Sequence, residues 1–228
     1  MGKSLVRIAK DLTKIVLGVG SPVKSYQKLG ADRSTSRTNL DGYYHCKDVQ
    51  LVEDYKMALL SHMAPVIIPS GKILDVACGS GRYLQILTEE FSLQGYGIDT
   101  SPHAINRFAK TVCPTATFEI ADATKGRPFP EVLFDNVICI GLIQHIAFFR
   151  VTKLIRNLSA TLVPGGMLFL TYPPARTMLE GFRNHQFQGY TDQFIAKRIE
   201  RAGLELLKQE VVDPERADFG KYLVAKKP

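Results

Sequence analysis

The chain has 228 residues, 45% apolar and 22% charged, enough for one substantial core and too few for two, so one domain with an appendage is expected. No run approaches the roughly 18 apolar residues needed to span a bilayer, and the amino terminus lacks the apolar stretch of a secretory signal, so a cytoplasmic protein is expected. The net charge of +7 favours anionic partners, and its placement is uneven. Residues 1–47 hold nine Lys or Arg against three acids, whereas the remainder is nearly balanced.

In chain order, Leu5, Ile8, Leu12 and Ile15 recur at helical spacing with Lys3, Arg7, Lys10 and Lys14 opposite them, which predicts a basic amphipathic helix over 4–17. A Gly, Ser and Thr-rich loop over 18–40 follows, then a second helix from Asp48 to Met63 that stops before Pro65. Together residues 1–63 form a helical cap, and 64–228 the main domain. The first helix has three readings: a lid over the site, a contact with membrane surface or nucleic acid, or a dimer contact.

From Lys72 onward short apolar runs alternate with helical segments. Strands are expected at 73–77, 96–98, 117–120, 136–140 and 167–172, with a closing hairpin of 204–212 and 222–225. Helices are expected at 82–91, 102–112, 151–162 and 192–202, the second of them capped by Ser101 before Pro102. This alternation predicts an α/β fold, a mostly parallel Rossmann-like sheet with helices on both faces.

The chemistry is concentrated at the strand ends. Asp75-Val76-Ala77-Cys78-Gly79-Ser80-Gly81 joins a strand to a helix, and glycines there let a ligand approach the backbone. By itself such a turn is also an ordinary tight connection. Asp99 follows the second strand, where a carboxylate can accept from both ribose hydroxyls of an adenosine ligand, and Asp122 follows the third, where it can receive the adenine amino group.

These pieces resemble the class I S-adenosylmethionine-dependent methyltransferases over residues 70–228. The resemblance rests on 75–81, Gly97-Ile98-Asp99, Ala121-Asp122-Ala123, Phe134-Asp135-Asn136-Val137-Ile138 and Leu162-Val163-Pro164-Gly165-Gly166 before the fifth strand. It implies seven strands with the last antiparallel, and S-adenosylmethionine as cofactor. It also implies a cofactor site drawn from Asp75, Ala77, Gly79, Gly81, Arg82, Asp99, Thr100, Asp122, Ala123, Ile140 and Gly141. Arg82 is equally a solvated first-turn residue. A nicotinamide dehydrogenase is the nearest competitor, but its fingerprint wants glycine where Leu84 stands.

Methyl transfer from a sulfonium is an in-line displacement, so a base is required only if the acceptor must lose a proton. His145, just past the fourth strand, is the candidate catalytic base; the plainer alternative is a structural histidine opening a helix. Tyr43, Tyr44, His145, Tyr172, Arg183 and Tyr190 are candidate acceptor contacts, and core packing explains each almost as well. Cys139 reads as a buried strand-end thiol, and Cys46, Cys78, Cys113 and Cys139 lack metal-site spacing. The expected activity is methyl transfer to an O or N atom of a small-molecule acceptor. The alternatives are an RNA or protein acceptor held by the basic amino-terminal region, and a binding module without turnover.

Overall fold

A computed structural model describes residues 49–175, 189–216 and 220–228. The expected helix at 4–17, the loop at 18–40, and Tyr43, Tyr44, His45, Cys46, Arg176, Arg183 and His185 lie outside the described residues. Helix α1 spans Val49–Met63, strand β1 Lys72–Val76, helix α2 Arg82–Phe91 and strand β2 Gln94–Asp99. Helix α3 is wound as a π-helix over Ala104–Ala109 and as an α-helix over Lys110–Val112. Strand β3 (Thr117–Ile120), strand β4 (Phe134–Cys139), helix α4 (Phe148–Thr161), strand β5 (Leu162–Tyr172), helix α5 (Asp192–Arg201), strand β6 (Glu205–Val211) and strand β7 (Lys221–Lys226) follow.

One seven-stranded sheet runs in the order β3-β2-β1-β4-β5-β7-β6. The first five strands pair in parallel, and β7 runs antiparallel to both β5 and β6. The seven strands, the antiparallel seventh and the closing hairpin match the sequence expectation. Among the described residues no helix is long and apolar enough to cross a membrane.

Two apolar layers sandwich the sheet. Leu74, Val76, Val137 and Cys139 of the central strands face α4 and α5 through Leu154, Leu158, Ile195 and Ile199. Their neighbours Ile73 and Ile138 turn to the opposite face with Leu59, Met63, Leu84 and Leu87 of α1 and α2. This alternation is the period of two that a strand imposes on buried parallel sheets. At Gly95 a Cβ would stand 2.8 Å from Thr88 Cγ2 and 3.4 Å from Leu84 Cδ1. The missing side chain on β2 therefore makes room for Leu84, which is fully buried. The helix-to-sheet closeness that a dinucleotide enzyme obtains from a glycine on the helix is obtained here from a glycine on the strand.

Three elements depart most from expectation. The 102–112 helix is capped by Ser101 Oγ, which accepts from Ala104 N at 3.2 Å, but it widens into the π form, so that His103 and Phe108, five residues apart, meet at 5.3 Å between ring centroids. Helix α4 begins three residues before Val151. Strand β5 begins at Leu162 and includes Pro164-Gly165-Gly166, expected as a turn before the strand. Gly165 donates to Lys227 O at 2.7 Å and Lys227 donates back to Gly166 O at 2.9 Å, so the carboxyl-terminal tail supplies the pairing.

Candidate donor and acceptor site

Because β1 to β4 are parallel, their carboxyl ends emerge along one rim, and Asp75, Asp99, Asp122 and Ile140 come with them. The turn after β1 is held by backbone bonds, Cys78 N to Ile98 O at 2.9 Å and Gly81 N to Cys78 O at 2.8 Å. Asp99 fastens it to β2: one carboxylate oxygen accepts from Gly79 N at 3.0 Å and the other from Ser101 N at 2.8 Å. Ala77, Gly79 and Gly81 all have left-handed φ, 64°, 53° and 76°. A Cβ at Gly79 would meet nothing within 4 Å among the described residues, so the backbone there faces open space between them.

Ala77 is an L-residue held left-handed, a conformation costing roughly 1–2 kcal/mol. We expect Ala77→Gly to relieve that strain and, after the extra chain entropy of glycine, to raise stability by up to about 1 kcal/mol. Chemical denaturation checks this, and a loss of stability would show that the alanine methyl contributes packing that outweighs the strain.

Asp75 is 2% exposed on β1. Burial, and secondarily the Asp99 carboxylate, push its pKa up to about 8. The same environment raises the thiols of Cys78 and Cys139 far above their ordinary value, through burial first and then the Asp75 charge. Asp99 is also raised by burial, opposed by the backbone N–H groups of Ser101, Gly79 and Thr100. The floor of the rim therefore carries unneutralised acidity, a setting that favours a cationic ligand.

At the β3 end, one oxygen of Asp122 accepts from Thr124 N at 2.9 Å and Thr124 Oγ1 at 2.7 Å, with Lys125 Nζ 3.9 Å from the other. Ala123 is turned into the core, and its carbonyl accepts from Asn157 Nδ2 at 2.6 Å. Thr100 is half-buried and Arg82 is exposed at the start of α2. At the β4 end, Ile140 is buried and Gly141 donates its N–H to Thr171 Oγ1 at 2.9 Å. His145 closes a 3-10 turn over Ile143–His145; it is half-buried, and burial lowers its pKa to about 4, so it is neutral at ordinary pH.

Tyr172 and Tyr190, expected to contact the acceptor, are placed in the core. The Tyr172 hydroxyl donates to Asp192 Oδ1 at 2.8 Å and accepts from Gln209 Nε2 at 2.9 Å. Tyr190 is fully buried, stacked on Phe194 at 5.2 Å, and its hydroxyl lies 3.3 Å from Ile143 O and 3.0 Å from Ile146 O. It clamps the turn that carries Gln144 and His145. Thr171, Thr124 and Ser101 hold site loops and were not singled out from the sequence. Only Ser101 left a signal of a structural kind, as a helix cap.

A methyltransferase domain family matches residues 50–209. The chain is 32% identical over 115 residues to tRNA U34 carboxymethyltransferase of Campylobacter curvus, covering 47% of this chain and 37% of that protein. It is 33% identical over 106 residues to phosphoethanolamine N-methyltransferase 3 of Arabidopsis thaliana, covering 45% of this chain and 21% of that one. It thus spans well under half the length of these curated relatives. Among solved structures, magnesium protoporphyrin IX methyltransferase of Synechocystis PCC 6803 with bound S-adenosylhomocysteine superposes with a TM-score of 0.66 at 17% identity, over 90% of this chain and 97% of that one. The match across most of the chain, on this sheet order and rim, makes it a member of the class I S-adenosylmethionine-dependent methyltransferases. The family's methyl donor is S-adenosylmethionine, with which such neighbours are crystallised.

Proposed function

We propose that this chain transfers a methyl group from S-adenosylmethionine to an O or N atom of an acceptor that approaches over the Ile140–His145 turn. The observation that carries this is the pairing of an open backbone at Gly79 with a buried acid floor at Asp75 and Asp99 that makes no ion pair among the described residues. That combination fits a donor with a slim methionine arm and positive charge. The bound donor supplies an electrophilic methyl group on a cationic sulfur. Gly79 and Gly81 would flank the methionine arm, Asp75 would attract its ammonium, Asp99 would take the ribose hydroxyls on its remaining lone pairs, and Asp122 the adenine amino group. Gly141, fixed by Thr171, and the turn clamped by Tyr190 would form the wall that positions the acceptor and excludes water. His145, neutral and weakly basic, suits taking a proton from an amine after methylation better than ionising an alcohol beforehand.

For the acceptor, the small-molecule reading is supported by the compact domain and by the phosphoethanolamine N-methyltransferase relative. A second reading, a nucleotide in RNA, is favoured by one observation: the outward polar residues of α4, which begins at the acceptor side, are all basic. Two relatives also carry tRNA in their names. Incubating the full chain with methyl-labelled donor and a cell extract tests both. Label in low-molecular-weight products supports the first, label in RNA the second, and no transfer to these or to protein contradicts the enzymatic reading.

A further inference from the structure

We propose that the outer face of α4 is a docking surface for RNA, with Phe149 as a stacking platform for an unpaired base beside the acceptor mouth. The inference rests on the methyl-transfer reading and takes its RNA branch. The exposed residues of α4 are Phe149, Arg150, Lys153, Arg156 and Ala160. At 100° per residue, Phe149, Lys153, Arg156 and Ala160 fall within a narrow outward strip, with Arg150 on its flank. The three cations extend over about 9 Å of the helix axis, a length over which a strand with about 3.4 Å of axis per phosphate presents roughly two to three phosphates. Helix α4 contains no acid, and among the described residues none of the three cations has an ion-pair partner. Surface cations without partners keep their full attraction for phosphate.

Position and chemistry favour RNA over other anionic partners. The turn that forms the acceptor wall runs directly through Ile146 and Ala147 into Phe148, so the strip starts at the mouth and leads away from it. Phe149 is 45% exposed, with the Arg150 guanidinium 6.0 Å from its ring centroid. An exposed aromatic ring next to a guanidinium is the arrangement on which unpaired bases stack. A membrane surface would instead call for a continuous apolar side, and here the remaining exposed residue, Ala160, is small. Cations continue on both flanks. Lys125, 3.9 Å from Asp122, lies on the loop that Asn157 ties to α4, and Lys197 and Arg201 are exposed on α5, which Ser159 Oγ joins to α4 by donating to Ala202 O at 2.8 Å; Asp122 and Glu200 are acids among them.

Fluorescence anisotropy of the full chain with a labelled single-stranded RNA and with a labelled duplex RNA, across a salt series, tests this. The expected result is tighter binding of the single strand. In the triple variant Arg150→Gln, Lys153→Gln, Arg156→Gln the salt slope should fall by about 2, from roughly 0.7 per phosphate contact on a single strand. Phe149→Ala should weaken single-strand binding roughly tenfold while leaving the slope unchanged. Calorimetry with S-adenosylmethionine should give the same donor affinity in every variant, which confirms folding and keeps the two readings separate. Failure of donor binding in the parent chain would strike at the methyltransferase reading, whereas an unaltered RNA affinity in the triple variant would overturn the docking surface alone. Equal dependence on these residues for phosphatidylserine vesicles, with no binding of RNA, would also overturn it.

Discussion

Gly79→Val is expected to lower affinity for S-adenosylmethionine by roughly a hundredfold or more while costing only about 1–2 kcal/mol of stability. Two facts separate the effects. The backbone at residue 79 has φ 53°, which a β-branched residue adopts only under strain, and that strain accounts for the stability loss. A Cβ there meets no atom of the described residues within 4 Å, so no clash with them adds to it. The valine methyls instead enter the space above the turn, and a donor arm lying there meets them directly. Calorimetry with thermal denaturation measures both quantities. A variant that binds the donor normally would place the methionine arm elsewhere.

The second large effect is a dependence on pH that runs in opposite directions for the stability of the free protein and for its affinity for the donor. Asp75 binds its proton more tightly in the folded state, with a pKa near 8 against an ordinary value of 3.8. Between those values Asp75 holds more proton in the folded state than in the unfolded one; the opposite shift of His145, from 6.5 down to about 4, offsets this at lower pH, so the stability of the free protein falls as pH rises from about 6.5 to 8. Donor binding favours the ionised carboxylate and releases the proton, so donor affinity should rise with pH up to about 8. Asp75→Asn removes both trends, because the amide does not titrate, and should weaken the donor by about ten- to a hundredfold through loss of a charge-assisted contact. Thermal melts across pH, with and without donor, decide this. A free protein whose stability is flat from pH 6.5 to 8 would show Asp75 to be ionised already.

How much of this was legible in the sequence depended on whether the determining contacts were local. The strands and the rim acids were legible because buried parallel strands appear as short apolar runs and their ends follow at once in sequence. Helix α2 was legible to the residue. The role of Leu84 was half visible: its side chain rules out glycine packing on the helix, but the compensating gap at Gly95 lies on another element. Ala77 hides its left-handed backbone, since alanine gives no signal of positive φ. The hydroxyls of Tyr172 and Tyr190 find partners 20 to 47 positions away in the chain, and no periodicity reports such pairings. The π winding of α3 and the early start of α4 likewise depend on what packs against those helices.

The central claim is that the Asp75–Gly81 turn and the rim acids around it hold S-adenosylmethionine. Titration calorimetry of the full chain against S-adenosylmethionine and, in parallel, against NAD tests it most directly. The account predicts saturable binding of the first, lost in Asp99→Ala because the carboxylate that fastens Gly79 and Ser101 is gone, and no binding of the second. Binding of NAD with no heat from S-adenosylmethionine would contradict it.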